Sequence, residues 1–321
     1  MKNKLNFCIL GDIERKNIFR NIDKFFYLLT AIFKDIVNIE KHYFQANVSK
    51  INIYNYDNKN KEDNLKFLSN FHLLIFFEAS EETLKKCANH NYINISIHPI
   101  RFCEDLMFSI KTNMDYDFSK DKVSDSDIKL IAQIIKSRIA WSDSRDSTMI
   151  IQQLPNDQSL YQDNKYYTFK DFDKELLHLS KKKLGRIYYK THPYIDKIQK
   201  KFELTDLLFF RNNYSEEKYL KNFFNFTKIS TNKSFYETLN DFQINKVISL
   251  SSSVIVESNY FDIEVVNLLK PKNYTKPISL INFIKSSFWK KFEINLKLRK
   301  NNIFENNNFL RKIFGTWNFY Y

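Results

Sequence analysis

The segment Tyr188-Tyr189-Lys190-Thr191-His192-Pro193 puts an imidazole just past an apolar run that reads as a β-strand. Proline cannot donate to a strand ladder and fixes the direction in which the chain leaves, so the histidine is held at the sheet's edge. In open α/β sheets, ligands bind at the carboxyl ends of the strands. A histidine placed there can donate to a phosphate or protonate a leaving group. The same dipeptide recurs at His98-Pro99, but the later copy has Lys190 two residues ahead of it and a cleaner strand before it. A loop histidine without any chemical duty is the alternative reading.

Three further groups of residues are suited to chemistry. In Ser249-Leu250-Ser251-Ser252-Ser253-Val254 a strand turns into a helix, where hydroxyls and free backbone N–H groups can hold a diphosphate or phosphodiester; plain N-capping would need only one of these serines. The loop Gln152-Gln153-Leu154-Pro155-Asn156-Asp157-Gln158 offers Asp157 as a base, nucleophile or hydroxyl binder, or else as a turn former. Glu104-Asp105 is a carboxylate pair of the kind whose mutual repulsion raises one pKa into the range of general acid–base work. The Asp-x-Asp triplets at Asp115/Asp117, Asp125/Asp127 and Asp171/Asp173 fall in polar runs or at helix starts and read as solvated acids and caps, so no metal site is expected. No phosphate-binding glycine loop, dinucleotide fingerprint, HExxH or paired-cysteine zinc pattern is present.

The elements that must position these residues alternate strand and helix twice. Leu5–Leu10 reads as a buried strand closed by Gly11-Asp12, with a helical pattern following over 16–36. Short strands recur at Lys50–Tyr54, His72–Phe77 and Ile93–Ile97, and a helix opens at Ser80 with Glu81 and Glu82 in its first turn. Apolar residues at Ile128, Ile131, Ala132, Ile135 and Ile139 share one helix face. The polar run Ser142–Ser147 then separates the halves. In the second half, strands are expected at Thr148–Gln152, Arg186–Lys190, Asp206–Phe210, Lys246–Leu250 and Val265–Leu269. Helices are expected around Phe172–Leu179, Ser234–Phe242 and Val254–Phe261. Strands alternating with helices imply α/β domains with parallel sheets. The division expected is 1–145, 146–284 and a C-terminal segment 285–321.

Bulk properties bound the possibilities. The 321 residues suffice for two domains, and only 3 Gly and 5 Pro argue against long flexible linkers. Cys8, Cys87 and Cys103 are isolated thiols, as in a reducing cytoplasm. The longest apolar run, Leu73–Phe77, is far below the ~18 residues of a spanning helix. A net charge of +13 draws the chain to polyanions such as nucleic acid, an anionic membrane face or a phosphorylated substrate. The segment from Lys285 interleaves Lys and Arg with Phe288, Trp289, Phe292, Phe314, Trp317, Phe319, Tyr320 and Tyr321. It suits either a membrane surface or packing back onto the domains.

Taken together, these motifs resemble those of bacterial GT-B glycosyltransferases that use CMP-activated ulosonic acids: the capsule-type Kdo transferases and the bacterial sialyltransferases. Both carry a Lys-x-His-Pro element, matched by Lys190-Thr191-His192-Pro193, and a later serine pair, matched within Ser251-Ser252-Ser253. The capsule branch continues as Ser-[Ser/Thr]-Val-x-x-Glu, matched by Ser252 to Glu257, and has a Gln-x-x-x-Asp loop, matched by Gln153 to Asp157. Both branches also carry an acidic pair followed by glycine in the N-terminal domain, nearest here at Glu104-Asp105, where Leu106 stands in the glycine's place. The match spans roughly Met149 to Leu269.

The resemblance implies a GT-B fold of two Rossmann-like domains with a cleft between them, and transfer of an ulosonic acid from a CMP-sugar to a glycan or lipid-linked acceptor. It needs neither a cofactor nor a metal. Lys190, His192, Ser251, Ser252, Ser253 and Glu257 would hold the CMP portion. His192 would also stabilise the departing phosphate, and Glu104 or Asp105 would deprotonate the acceptor. In a retaining scheme Asp157 would be the nucleophile. Such an enzyme would work in the cytoplasm, against the anionic inner membrane face, on capsule or lipopolysaccharide. A CDP-glycerol transferase of the teichoic type is the nearest alternative, since it also combines a His-Pro element with a Ser-Ser turn. A nucleic-acid binder is the remote one, lacking any recognisable module.

Overall fold

A computed structural model describes residues 4–12, 23, 26–27, 29–30, 33, 37–46, 51–55, 61–62, 67–103, 105–153, 158–163, 165–192, 216–229, 235–270 and 274–294. Among them the strands are β1 (Leu5–Asp12), β2 (Val37–Ala46), β3 (Ile51–Asn55), β4 (Lys61–Glu62), β5 (Leu73–Phe77), β6 (Tyr92–Ile97) and β7 (Met107–Thr112). There follow β8 (Ser147–Ile151), β9 (Tyr161–Gln162), β10 (Lys165–Tyr166), β11 (Ile187–Lys190), β12 (Thr227–Ile229), β13 (Ile244–Ser249), β14 (Glu264–Asn267) and β15 (Ile278–Ser279). The α-helices are α1 (Glu81–Lys86), α2 (Asp125–Arg138), α3 (Asp173–Ser180), α4 (Glu216–Leu220), α5 (Phe235–Asp241), α6 (Val254–Ser258) and α7 (Leu280–Lys285). Asp23, Phe26, Tyr27, Leu29, Thr30 and Phe33 are also helical. No described helix is long and apolar enough to cross a membrane.

The chain forms two compact units, Met1–Asp125 with Tyr274–Tyr321, and Ser126–Asn273. The first is built on an eight-stranded sheet in the order β15-β7-β6-β5-β1-β2-β3-β4. Its centre, β2-β1-β5-β6, is parallel, whereas β3, β4, β7 and β15 join antiparallel. Successive residues of a strand face opposite sides of the sheet, and the central strands are apolar on both. Phe7, Ile9, Leu73, Ile75, Phe77, Ile93 and Ile95 lie on one side with Leu29, Phe33, Phe288 and Trp289. Cys8, Leu10, Leu74 and Phe76 lie on the other with Leu84 and Cys87 of the α1 region. Near-continuous burial of β5 is what a central parallel strand requires.

The second unit holds a five-stranded, wholly parallel sheet in the order β12-β11-β8-β13-β14. Its first strand in sequence, β8, is central and fully buried. Successive strands are added to one side and then to the other, which is the doubly wound arrangement. Ile150, Tyr189 and Ile248 pack on one side against Phe172, Leu176, Leu179 and Leu220, and Met149 and Val247 are buried on the opposite side. The fold class is therefore the expected α/β, with two sheet bodies whose central strands are parallel.

Several expectations change. β1 continues through Gly11 and Asp12, which pair with Tyr43 and Phe44, so the glycine does not close the strand. β2 and β7 were not anticipated. The compact units divide at 125/126 and 273/274, where the sequence suggested 145/146 and 284/285. Arg145 in the polar run 142–147 donates to the carbonyls of Ser142, Leu239 and Ile244 and to Asn240 Oδ1, and stacks on Trp141, tying the segment into the second unit. At the other end, Phe288 and Trp289 are buried in the first unit, with Trp289 Nε1 donating to Phe283 O at 2.7 Å. These two aromatics are core residues and do not face a membrane. The strand expected at Asp206–Phe210, and Phe314 to Tyr321, lie outside the described residues.

Candidate functional site at the carboxyl edge of the second sheet

Two segments singled out by their chemistry leave the same edge of the parallel sheet. Lys190 is in register with Ile151 of β8, and Ile248 of β13 is in register with Ile150. Thr191-His192 and Leu250-Ser251 therefore emerge at one level on either side of β8. With strands about 4.8 Å apart, the two exits are separated by roughly 10 Å. The junction of β8 with β13 is also where the strand order reverses, the position at which doubly wound sheets open a crevice. Gly185, at φ +64°, admits the chain into β11; a Cβ there would collide with Asp146 O.

Two consecutive glutamines from the end of β8 reach both exits. Gln152 Oε1 accepts from His192 N at 3.2 Å, while Gln152 N extends the ladder to Lys190 O at 3.0 Å. Gln153 Oε1 accepts from Ser251 N at 2.5 Å, and its Nε2 donates to Ser159 Oγ at 3.3 Å. Lys190, Thr191, Gln153 and Ser251 are buried; His192, Ser252 and Ser253 are half-buried.

The serines divide the work differently from simple capping. Ser253 is already in the helical conformation and makes no side-chain cap bond. Ser252 Oγ accepts from Val254 N at 3.4 Å, and Ser249 Oγ accepts from Ser252 N at 3.1 Å. Ser251 Oγ is buried with no hydrogen-bond partner among the described residues. α6 is only five residues long before it tightens into a 3₁₀ turn at Asn259–Phe261. So short a helix sums little macrodipole, and the anion-binding capacity expected of a helix N-terminus falls instead to the hydroxyls.

Glu257 lies fully buried one turn further on, where the Tyr236 hydroxyl donates to its Oε1. That position makes it part of the unit's interior and not of the exposed edge. Asp105 belongs to the first unit, half-buried, and its Oδ2 accepts from Ile281 N at 3.3 Å at the start of α7. Glu104, Asp157 and Pro193 lie outside the described residues. His98 is a satisfied core histidine: it is buried, its Nδ1 accepts from Ile100 N at 3.4 Å, and burial pushes its pKa down to about 4. Asp117 accepts from Ser119 N and Oγ, and Asp171 closes a capping box with Thr168. Asp125 and Asp127 are exposed at the start of α2.

Sequence reasoning missed two features of this unit. The pairing of Gln152 and Gln153 with the flanking strands has no sequence signal beyond their place after an apolar run. The second is Glu216, to which the Tyr189 hydroxyl donates at 3.1 Å. Burial raises the Glu216 carboxyl to about 8, against the opposing pull of that hydrogen bond.

Among known proteins, no family model and no curated protein matches the chain. Among solved structures it is similar to the KpsC beta Kdo 2,7 transferase of Thermosulfurimonas dismutans, at 12% identity and a TM-score of 0.43, covering 83% of this chain and 79% of that one. It is also similar to a UDP-N-acetylglucosamine 2-epimerase from Rickettsia bellii, at 11% identity and a TM-score of 0.28, covering 98% and 97%. Likenesses this distant do not bear on function.

Proposed function

We propose that the chain is a glycosyltransferase that moves an ulosonic acid, of the Kdo or sialic acid type, from a CMP-sugar to a glycan or lipid-linked acceptor. The observation that carries this reading is that Lys190-Thr191-His192 and Ser251 to Ser253 leave one edge of one parallel sheet, on either side of its central strand. A buried hydroxyl without a partner costs about 1–3 kcal/mol, and a phosphate oxygen at Ser251 Oγ would recover that cost. His192 and Lys190 would then stabilise the negative charge that grows on CMP as it departs, which is electrostatic stabilisation of a leaving group. Glu104 or Asp105 is the proposed base for the acceptor, and Asp157 the proposed nucleophile should the reaction retain configuration. The excess of positive charge over the whole chain suits an anionic acceptor presented at the cytoplasmic membrane face.

The test is thermal unfolding of the wild type and His192→Ala with CMP, CDP, UMP and GMP. A ligand that binds the native state at a hundredfold its Kd adds about 2.7 kcal/mol, so CMP is expected to raise the wild-type Tm by several degrees and to leave His192→Ala unmoved. Selective stabilisation by GMP, or a CMP shift that survives the substitution, overturns the assignment. Turnover of CDP-glycerol, but of neither CMP-Kdo nor CMP-sialate, would move the reading to glycerophosphate transfer.

A further inference from the structure

We infer that Gln152 and Gln153 are a positioning pair: their side-chain carbonyls hold the exits of β11 and β13 at the spacing a phosphate needs. This rests on the reading of that edge as a CMP site. The geometry is specific. β8 lies between β11 and β13, so the residues leaving it stand next to both neighbouring exits. Consecutive side chains along an extended chain point to opposite sides. Whichever face each side chain leaves from, Gln152 reaches sideways to His192 N at 3.2 Å and Gln153 to Ser251 N at 2.5 Å. The second amide is fixed from its other end as well, because its Nε2 donates to Ser159 Oγ.

The consequence is chemical. The backbone N–H of Ser251 is consumed by Gln153, so it is not offered to a ligand. The Ser251 hydroxyl, buried and without a partner among the described residues, is the group presented instead. On the other side, the peptide N–H of His192 is consumed by Gln152, which sets the direction in which the imidazole leaves the strand. Neither glutamine needs to touch the ligand. Each acts by holding a group that does.

The experiment uses the full chain, with CMP and cytidine as a matched pair differing only in the phosphate, titrated calorimetrically. Wild type is expected to bind CMP more tightly than cytidine. Gln153→Met, close in size but without the acceptor, is expected to lose about tenfold in CMP affinity, the equivalent of one hydrogen bond, with cytidine affinity unchanged. Gln152→Met should behave in the same direction. Loss of general packing would weaken both ligands alike and so cannot mimic this split. Amide hydrogen exchange of the ligand-free variants supplies a measure independent of CMP. Ser251 N–H should exchange faster in Gln153→Met while Val247 and Ile248 in β13 stay protected. An unchanged CMP-to-cytidine ratio in both variants, or unchanged protection of Ser251, overturns the positioning role. A wild type that binds neither nucleotide, with Gln153→Met still showing the predicted faster exchange at Ser251, sinks the CMP reading while leaving the clasp in place.

Discussion

Glu257 and Glu216 are both acids of the second unit that sit away from bulk water, and both are answered by a tyrosine hydroxyl. For Glu257 the partner is Tyr236, itself fully buried. Tyr236→Phe removes the donor and leaves the carboxylate in place, so it is expected to destabilise the second unit by about 1–3 kcal/mol, the cost of leaving a buried polar group unanswered. Urea unfolding of the variant measures it; a change within a few tenths would mean that Glu257 is held by other groups. Glu257 was legible in the sequence as part of a Ser-Ser-Val-x-x-Glu pattern, and its burial was not. A carboxylate's type and spacing say that it can bind a ligand. Only the packing around it decides whether it faces ligand or core. His192 and Ser251 were legible for the converse reason: polar types that directly follow an apolar parallel strand have little choice but to stand at its carboxyl edge.

Among the elements, the central strand β5 could be read directly as an unbroken apolar run, and β8 and β13 from the short apolar stretches Met149–Ile151 and Val247–Ile248 that precede polar residues. β2 and β7 could not. β2 carries Asn38, Glu40 and Lys41, and β7 carries Ser109 and Lys111, so neither presents an unbroken apolar run. β7 and β15 add antiparallel strands at one margin of the sheet, where pairing partners are chosen by tertiary contact. The segment after α7 shows the same dependence. Its aromatics and lysines suit either a membrane surface or a core, and the 3₁₀ turn Ser287–Phe292 takes Phe288 and Trp289 into the core. Trp289→Ala is expected to cost about 3–5 kcal/mol, as for other buried aromatic truncations. Denaturant unfolding of the first unit checks it, and a cost below about 1 kcal/mol would contradict the burial assigned to this ring.

For the whole molecule, two titrating groups act in opposite senses on its two units. Glu216, in the second unit, has a folded pKa of about 8, above the ordinary carboxylate value of 4.5. Its contribution to stability is present below pH 4.5 and is lost as pH rises toward 8. His98, in the first unit, has a folded pKa of about 4, below the ordinary 6.5. Its contribution is present above pH 6.5 and is lost as pH falls toward 4. Between pH 5 and 8, Glu216→Gln should therefore gain stability relative to wild type as pH rises, and His98→Gln should lose it. Urea unfolding at the two pH values reads the signs; parallel responses from the two variants would refute the assignment.

The sequence alone determined the α/β class, the succession of buried strands, and the presence of His192 and the serine cluster just beyond two of them. These follow from local polarity and periodicity, which a single chain segment carries within itself. Tertiary structure decided which strands are neighbours and what register they keep. It thereby decided that the glutamines after β8 meet Ser251 and His192, that Glu257 turns inward, and that Trp289 closes a core. Each of these is a contact between segments distant in the chain, set by how faces pack and hydrogen bonds align, and no local pattern encodes that.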